Sequence, residues 1–404
     1  MTNKIMTVPA SALNTLAAPG SRLVNPLSLG LMPGLGGAET GFNQQSDVLI
    51  TQSTDGIDYN QMWKEFQDTL TLQNAERTAI VSFLTFPVTK NVDQVSQLSG
   101  AQFERASEYG EPRGIRQTPA FFNMGYDFGW FDVAIRYTWR YLAEASAAQV
   151  QSLHAAAIEA DNQLLFNLVM NALFSKVNRS AEIQGQDVNV YALYNNDGTV
   201  PPAYKTNTFD GTHDHYLTSG AAVVDSGDFD AIMEHLTHHG YNQTNGVQQI
   251  IAMNSAQGKV AKQFRIASGD TYDFIPSQSQ ATALILEPGQ AVSGGRPASA
   301  YKGLNVIGSY GEALLVEDDL FPAGYIVAIG SGGPENLANP VGLREHANAS
   351  LRGLRLVKGP DNNYPLTDSF YQRGAGTGIR QRGGSAVMQI TASTTYTTPT
   401  QYAV

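Results

Sequence analysis

The sequence predicts an α+β fold, and three observations carry that expectation. Residues 146–174 carry one long amphipathic helical pattern, stretches around it alternate as strands do, and residues 219–330 exchange helix and strand in quick succession. Of the 404 residues 42% are hydrophobic and only 15% charged, so most of the chain should be folded, with uncharged polar side chains covering its surface. A free-standing enzyme usually carries about 25% charged residues. A surface poor in charge suits large static contacts, where a buried charge needs a partner.

Taken in order, the first 60 residues hold Gly, Pro, Asn and Ser without sustained periodicity, yet Leu23, Val24, Leu27, Leu29, Leu31, Met32 and Leu35 give them more aliphatic surface than a solvated tail carries. An arm that becomes ordered on a neighbouring subunit reconciles the two, with an arm folded back on its own chain as the alternative. Pro9, Ser11, Asn14 and Thr15 interrupt the apolar core a signal peptide needs. No apolar run approaches the roughly 20 residues of a membrane span, so a soluble protein that starts inside the cell is expected. Residues 58–82 read as a helix running into a strand, with Met62, Phe66, Thr69 and Leu70 on one face. Residues 83–92 and 130–139 alternate, the latter placing Phe131, Val133, Ile135 and Tyr137 on one side. The polar stretch between them is long for a compact domain and reads as a projecting hairpin, 83–128, with its tip near 100–114.

The helix at 146–174 has a candidate N-cap in Ser146 and would be roughly 40 Å long. His154 lies beside its apolar stripe as a packing residue. Residues 228–240 read as a helix closed by Gly240 and 255–268 as a second, with strands at 247–254, 281–287, 304–309, 311–317 and 324–330. The chain then returns through 340–357 to "FYQRGAGTGIRQRGGSAVMQI" (370–390), read as a glycine-rich loop leading into a final strand.

Several chemistries are excluded or weakened. The absence of cysteine removes disulfides, thiolate zinc sites and thiol catalysis. A net charge of −11 argues against intimate DNA binding. His213, His215, His235, His238 and His239 lie near one another in sequence, and His235 with His239 has a spacing that can hold zinc. The order Glu-His-x-x-His-His places no general base where a metalloprotease needs it, and His238 and His239 are read as complementing a helix dipole. No catalytic, cofactor or metal site is therefore expected. The glycine–arginine stretch lacks the lysine and following helix of a phosphate loop. Its glycines are read as permitting positive φ at a hinge, and Arg373, Arg380 and Arg382 as forks for carboxylates on a neighbour.

This order of parts, with the specific stretches 212–241 and 370–399, resembles the Hong Kong 97-type major capsid proteins of tailed bacteriophages, most closely those of phages infecting actinobacteria. The resemblance implies an N-terminal arm (1–60), a peripheral domain (61–82 and 129–218) with spine helix 146–174, an E-loop hairpin (83–128), an axial domain (219–340), and a return to the peripheral domain with the final strand (341–404). It implies a shell of pentamers and hexamers enclosing double-stranded DNA, in the virion and, during assembly, in the host cytoplasm. The implied partners are the chain itself, a separate scaffolding protein, a portal, decoration proteins and packaged DNA held without tight binding. Intersubunit contacts are expected from Arg105, Glu108, Glu111, Arg113 and Arg116 on the hairpin, and from Arg373, Arg380 and Arg382. The hairpin tip has no lysine for the isopeptide crosslink some members form, and Lys90 lies only at its base. An encapsulin-type nanocompartment shell and, from a different class, a zinc-dependent hydrolase using the histidines are the alternatives.

Overall fold

The computed structural model describes residues 50–75, 78–96, 105, 108, 110, 121–183, 185–278, 297–358 and 369–402. These fall in one unit, Ile50–Val404; the other, Met1–Leu49, lies outside the described residues, and so does most of the expected N-terminal arm. The strand expected at 281–287 and most of the hairpin tip also lie outside them.

The long helix runs Ala147–Phe174 and starts on a capping box. The Ser146 hydroxyl accepts from the Gln149 backbone N–H while the Gln149 side chain accepts from the Ser146 N–H, which satisfies two donors the first turn leaves free. Its middle lies on a five-stranded sheet, where Leu165 and Leu168 pack with Leu343 and Ala375. Its C-terminal half, with Val169, Met170 and Leu173 wholly buried, also packs on an eight-stranded sheet through Ile250, Ala252, Val316, Val327, Ile329 and Val387. One helix thus supplies core to both sheets.

The eight-stranded sheet is mixed. Gln248–Met253 runs parallel to Ala313–Glu317 and antiparallel to Tyr325–Ser331. Ser385–Gln389 pairs antiparallel with Tyr325–Ser331 and parallel with the edge strand Tyr216–Thr218. Its second face is covered by the helices Ser226–Thr237 and Ser255–Ala261, which bury Phe229, Ile232, Met233, Leu236 and Ala261 against Ile251, Met253, Ile326 and Met388. With both faces covered, the strands read as nearly continuous apolar runs. The final strand therefore belongs to this sheet. The helix expected over 255–268 stops at Ala261, and a 3-10 turn at Ile266–Ser268 follows. A hairpin of Arg179–Ile183 with Gln186–Val190 was not foreseen.

The five-stranded sheet corrects the reading of the glycine–arginine stretch. Ser369–Ile379 is an eleven-residue strand at the centre of that sheet, not a loop. It pairs antiparallel with Leu354–Lys358, Gly129–Ile135 and Val341–Glu345, and Thr85–Val88 lies parallel beside the last. Side chains at 371, 373, 375 and 377 face the long helix, while Gly374, Gly376 and Gly378 face the segment 125–130. A Cβ on Gly376 would lie 2.0 Å from the Asp127 carbonyl oxygen, and one on Gly378 would lie 2.5 Å from that of Gly125. None of these three glycines has positive φ. They are there for close backbone approach rather than for a hinge.

Candidate assembly surface

The base of the expected hairpin is held by paired strands and by charge. Val92–Ser96 pairs antiparallel with Phe121–Gly125, in the register Val92 to Gly125 and Ser96 to Phe121. Behind it, Asp93 collects three partners. The Tyr126 hydroxyl donates to it at 3.0 Å, Lys90 lies at 3.5 Å and Arg380 at 3.7 Å. Burial, reinforced by Asp93, pushes the Tyr126 phenol far above its ordinary value, so it stays a donor. Arg344 donates to the Tyr126 carbonyl at 2.9 Å and to the Asn91 side chain. Its guanidinium lies over the Phe128 ring, that of Arg380 over Phe86. Several independent bonds thus tie the paired strands to the body. Beside its base, Trp130 and Val133 on Gly129–Ile135 are each 45% exposed. The expected one-sided burial of that strand holds for Phe131 and Ile135, both partly buried, but not for Val133.

The expected intersubunit residues fall into three groups. Arg105 and Glu108 are exposed, as a tip contact requires; Glu111, Arg113 and Arg116 lie outside the described residues. Arg380 is partly exposed at the hairpin base. Arg373 and Arg382 need correcting, because their partners are within the chain. Arg373 is 5% exposed and forks onto the Asp161 carboxylate of the long helix, with Glu345 at 3.7 Å. Arg382, 2% exposed, donates to the Ala192 carbonyl at 2.8 Å, the Leu193 carbonyl at 3.1 Å and the Asp197 carboxylate at 2.8 Å, and stacks over Tyr194. Burial pushes the Asp197 carboxyl up, but a hydrogen bond from Asn178 and the Arg382 charge outweigh it and bring it down to about 2.

Sequence reasoning missed Asp93, Tyr126, Arg344, Asp161 and Asp197. Each is an ordinary residue in its local stretch, and its partner is brought to it only by strand register and helix packing. His154 is the packing residue expected, 4.1 Å from the Phe66 ring and 2.6 Å from the Tyr371 hydroxyl.

No family model and no curated protein matches the chain. Among solved structures, one from Mycobacterium phage Patience is 44% identical, covers 90% of this chain and 97% of that one, and superposes with a TM-score of 0.69. The capsid of an empty GTA particle is 12% identical, with 78% and 90% of the two chains covered and a TM-score of 0.44. An encapsulin complex from Synechococcus elongatus is also 12% identical, covering 82% and 97%, with a TM-score of 0.42.

Proposed function

This chain belongs to the Hong Kong 97-type major capsid proteins of tailed bacteriophages and is a structural shell protein, and from that membership we propose how its subunits are joined. The observation that carries the proposal is the hairpin base, where bonds from Asp93, Tyr126, Arg344 and Arg380 tie the paired strands Val92–Ser96 and Phe121–Gly125 to the body. A projection held so firmly reaches across an adjacent subunit. Arg105, Glu108, Glu111, Arg113 and Arg116 at its tip form ion pairs there, and Arg380 with the exposed Trp130 and Val133 meets a neighbour near its base. In this reading 1–60 is the arm, 61–82 with 129–218 the peripheral domain, 219–340 the axial domain, and 341–404 the return with the final strand.

The subunits close into pentamers and hexamers around double-stranded DNA, in the virion and first in the host cytoplasm. A separate scaffolding protein, a portal and decoration proteins are the partners this implies. The net charge of −11 per chain suits a wall that packaged DNA must not adhere to. The role is structural rather than enzymatic. The hairpin tip carries no lysine, and Lys90 lies beside Asp93 at its base, which favours ion pairs over an isopeptide crosslink at the tip.

The test reverses charge at the tip. E108K with E111K is expected to leave the subunit folded, because Glu108 is exposed, and to block shell formation under conditions in which the unaltered chain assembles. Normal shells from the double variant, seen by electron microscopy beside an unchanged circular dichroism spectrum, would contradict the proposal.

A further inference from the structure

His213 and His215 lie just before the edge strand Tyr216–Thr218, and His238 and His239 lie just past the helix Ser226–Thr237. The fold brings them together. The Nε2 atoms of His213, His215 and His239 form a triangle with sides of 3.1, 2.9 and 3.0 Å. A neutral ring nitrogen either carries a proton or offers a lone pair. Of three nitrogens in mutual contact, at least two must therefore be alike, so no placement of protons makes every contact a hydrogen bond.

The state of one ring is fixed from outside the triangle. His215 is wholly buried, and its Nδ1 donates to the Ser385 carbonyl at 2.7 Å, which leaves its Nε2 with the lone pair directed at the other two. That backbone acceptor behind the ring is the support a metal-ligating imidazole usually has. His238 adds a fourth nitrogen: one nitrogen from each of the four rings lies within 4.8 Å of the others, and the His238 Nε2 is buried without a hydrogen-bond partner. Nitrogens held about 2.0–2.1 Å from a tetrahedral ion lie about 3.3 Å apart, close to the sides of this triangle.

We propose that His213, His215, His238 and His239 form a structural site for a divalent transition metal of the zinc type. Converging lone pairs, which repel one another without a cation, become its ligands. Imidazole suits zinc, and four protein ligands leave no open position for substrate, which separates this site from a hydrolase centre. All four rings stack or tilt against Tyr194 or Phe209, with Phe209 4.3 Å and Tyr194 5.7 Å from His239. Gly383 completes the cradle, since a Cβ there would lie 2.9 Å from the His239 ring. The bound ion would pin the 209–215 segment to the end of the helix Ser226–Thr237, beside the start of the final strand.

The test uses full-length protein stripped with a chelator, then given one equivalent of zinc or of cobalt(II). The expected result is about one ion retained per chain through gel filtration, a higher unfolding temperature with zinc, and the visible absorption of tetrahedral cobalt. H213Q with H239Q should abolish retention. G383A, which removes no ligand but crowds His239, should weaken binding at least about tenfold. H346Q, at a histidine outside the cluster, should bind as the unaltered chain does. If the double variant does not fold, H238Q supplies the reading, with binding again weakened at least about tenfold. Folded unaltered protein that retains no ion would overturn the proposal, and so would ligand variants that bind as well as it does.

Discussion

At the scale of single residues, His154 shows how position decides chemistry. It sits on the long helix, 5% exposed, stacked on Phe66 and bonded to Tyr371. Burial pulls its pKa down from 6.5 to about 4. An unfolded chain protonates this ring as pH falls below about 6.5, while the folded chain resists until about 4, so stability attributable to His154 is complete above that window and declines through it. The gap corresponds to about 3 kcal/mol at most. Thermal unfolding of H154Q should therefore fall less steeply than that of the unaltered chain between pH 6.5 and 4; parallel curves would contradict this. The packing role of His154 was legible from its place beside an apolar stripe. The ion pairs of Arg373 with Asp161 and of Arg382 with Asp197 were not, because nothing in a linear sequence relates positions so far apart.

At the scale of elements, legibility followed the strength of local signals. The helix Ala147–Phe174 announced both its cap and its period, and the runs at 247–254, 304–309, 311–317 and 324–330 announced the strands found at 248–253, 304–310, 313–317 and 325–331. The strand Ser369–Ile379 was hidden, because glycine weakens strand propensity and imitates a loop. Its alternation is real, with the side chains of Tyr371, Arg373, Ala375 and Thr377 toward the helix and the bare Cα atoms of Gly374, Gly376 and Gly378 toward 125–130. G376A tests this reading. Its Cβ would press on the Asp127 carbonyl oxygen at 2.0 Å, and backbone cannot yield as a flexible side chain can. A loss of about 3 kcal/mol or more is expected in denaturant unfolding. An unchanged midpoint with impaired assembly would instead favour a hinge.

At the scale of the whole molecule, two sheets share one long helix, so the five-stranded and eight-stranded parts are joined by common core. Asp93, Arg344 and Arg380 tie the base of the hairpin to the five-stranded sheet. The class of the protein was legible from the order of its parts, while the anchoring of the hairpin required the folded chain. The central claim is that this chain builds a closed shell through a hairpin laid across its neighbour. Cryo-electron microscopy of the assembled protein tests it most directly. Closed icosahedral particles are expected, in which residues 92–125 of each subunit cover an adjacent one. Particles in which that hairpin folds back on its own chain, or protein that forms no closed shell with its scaffolding partner present, would contradict it.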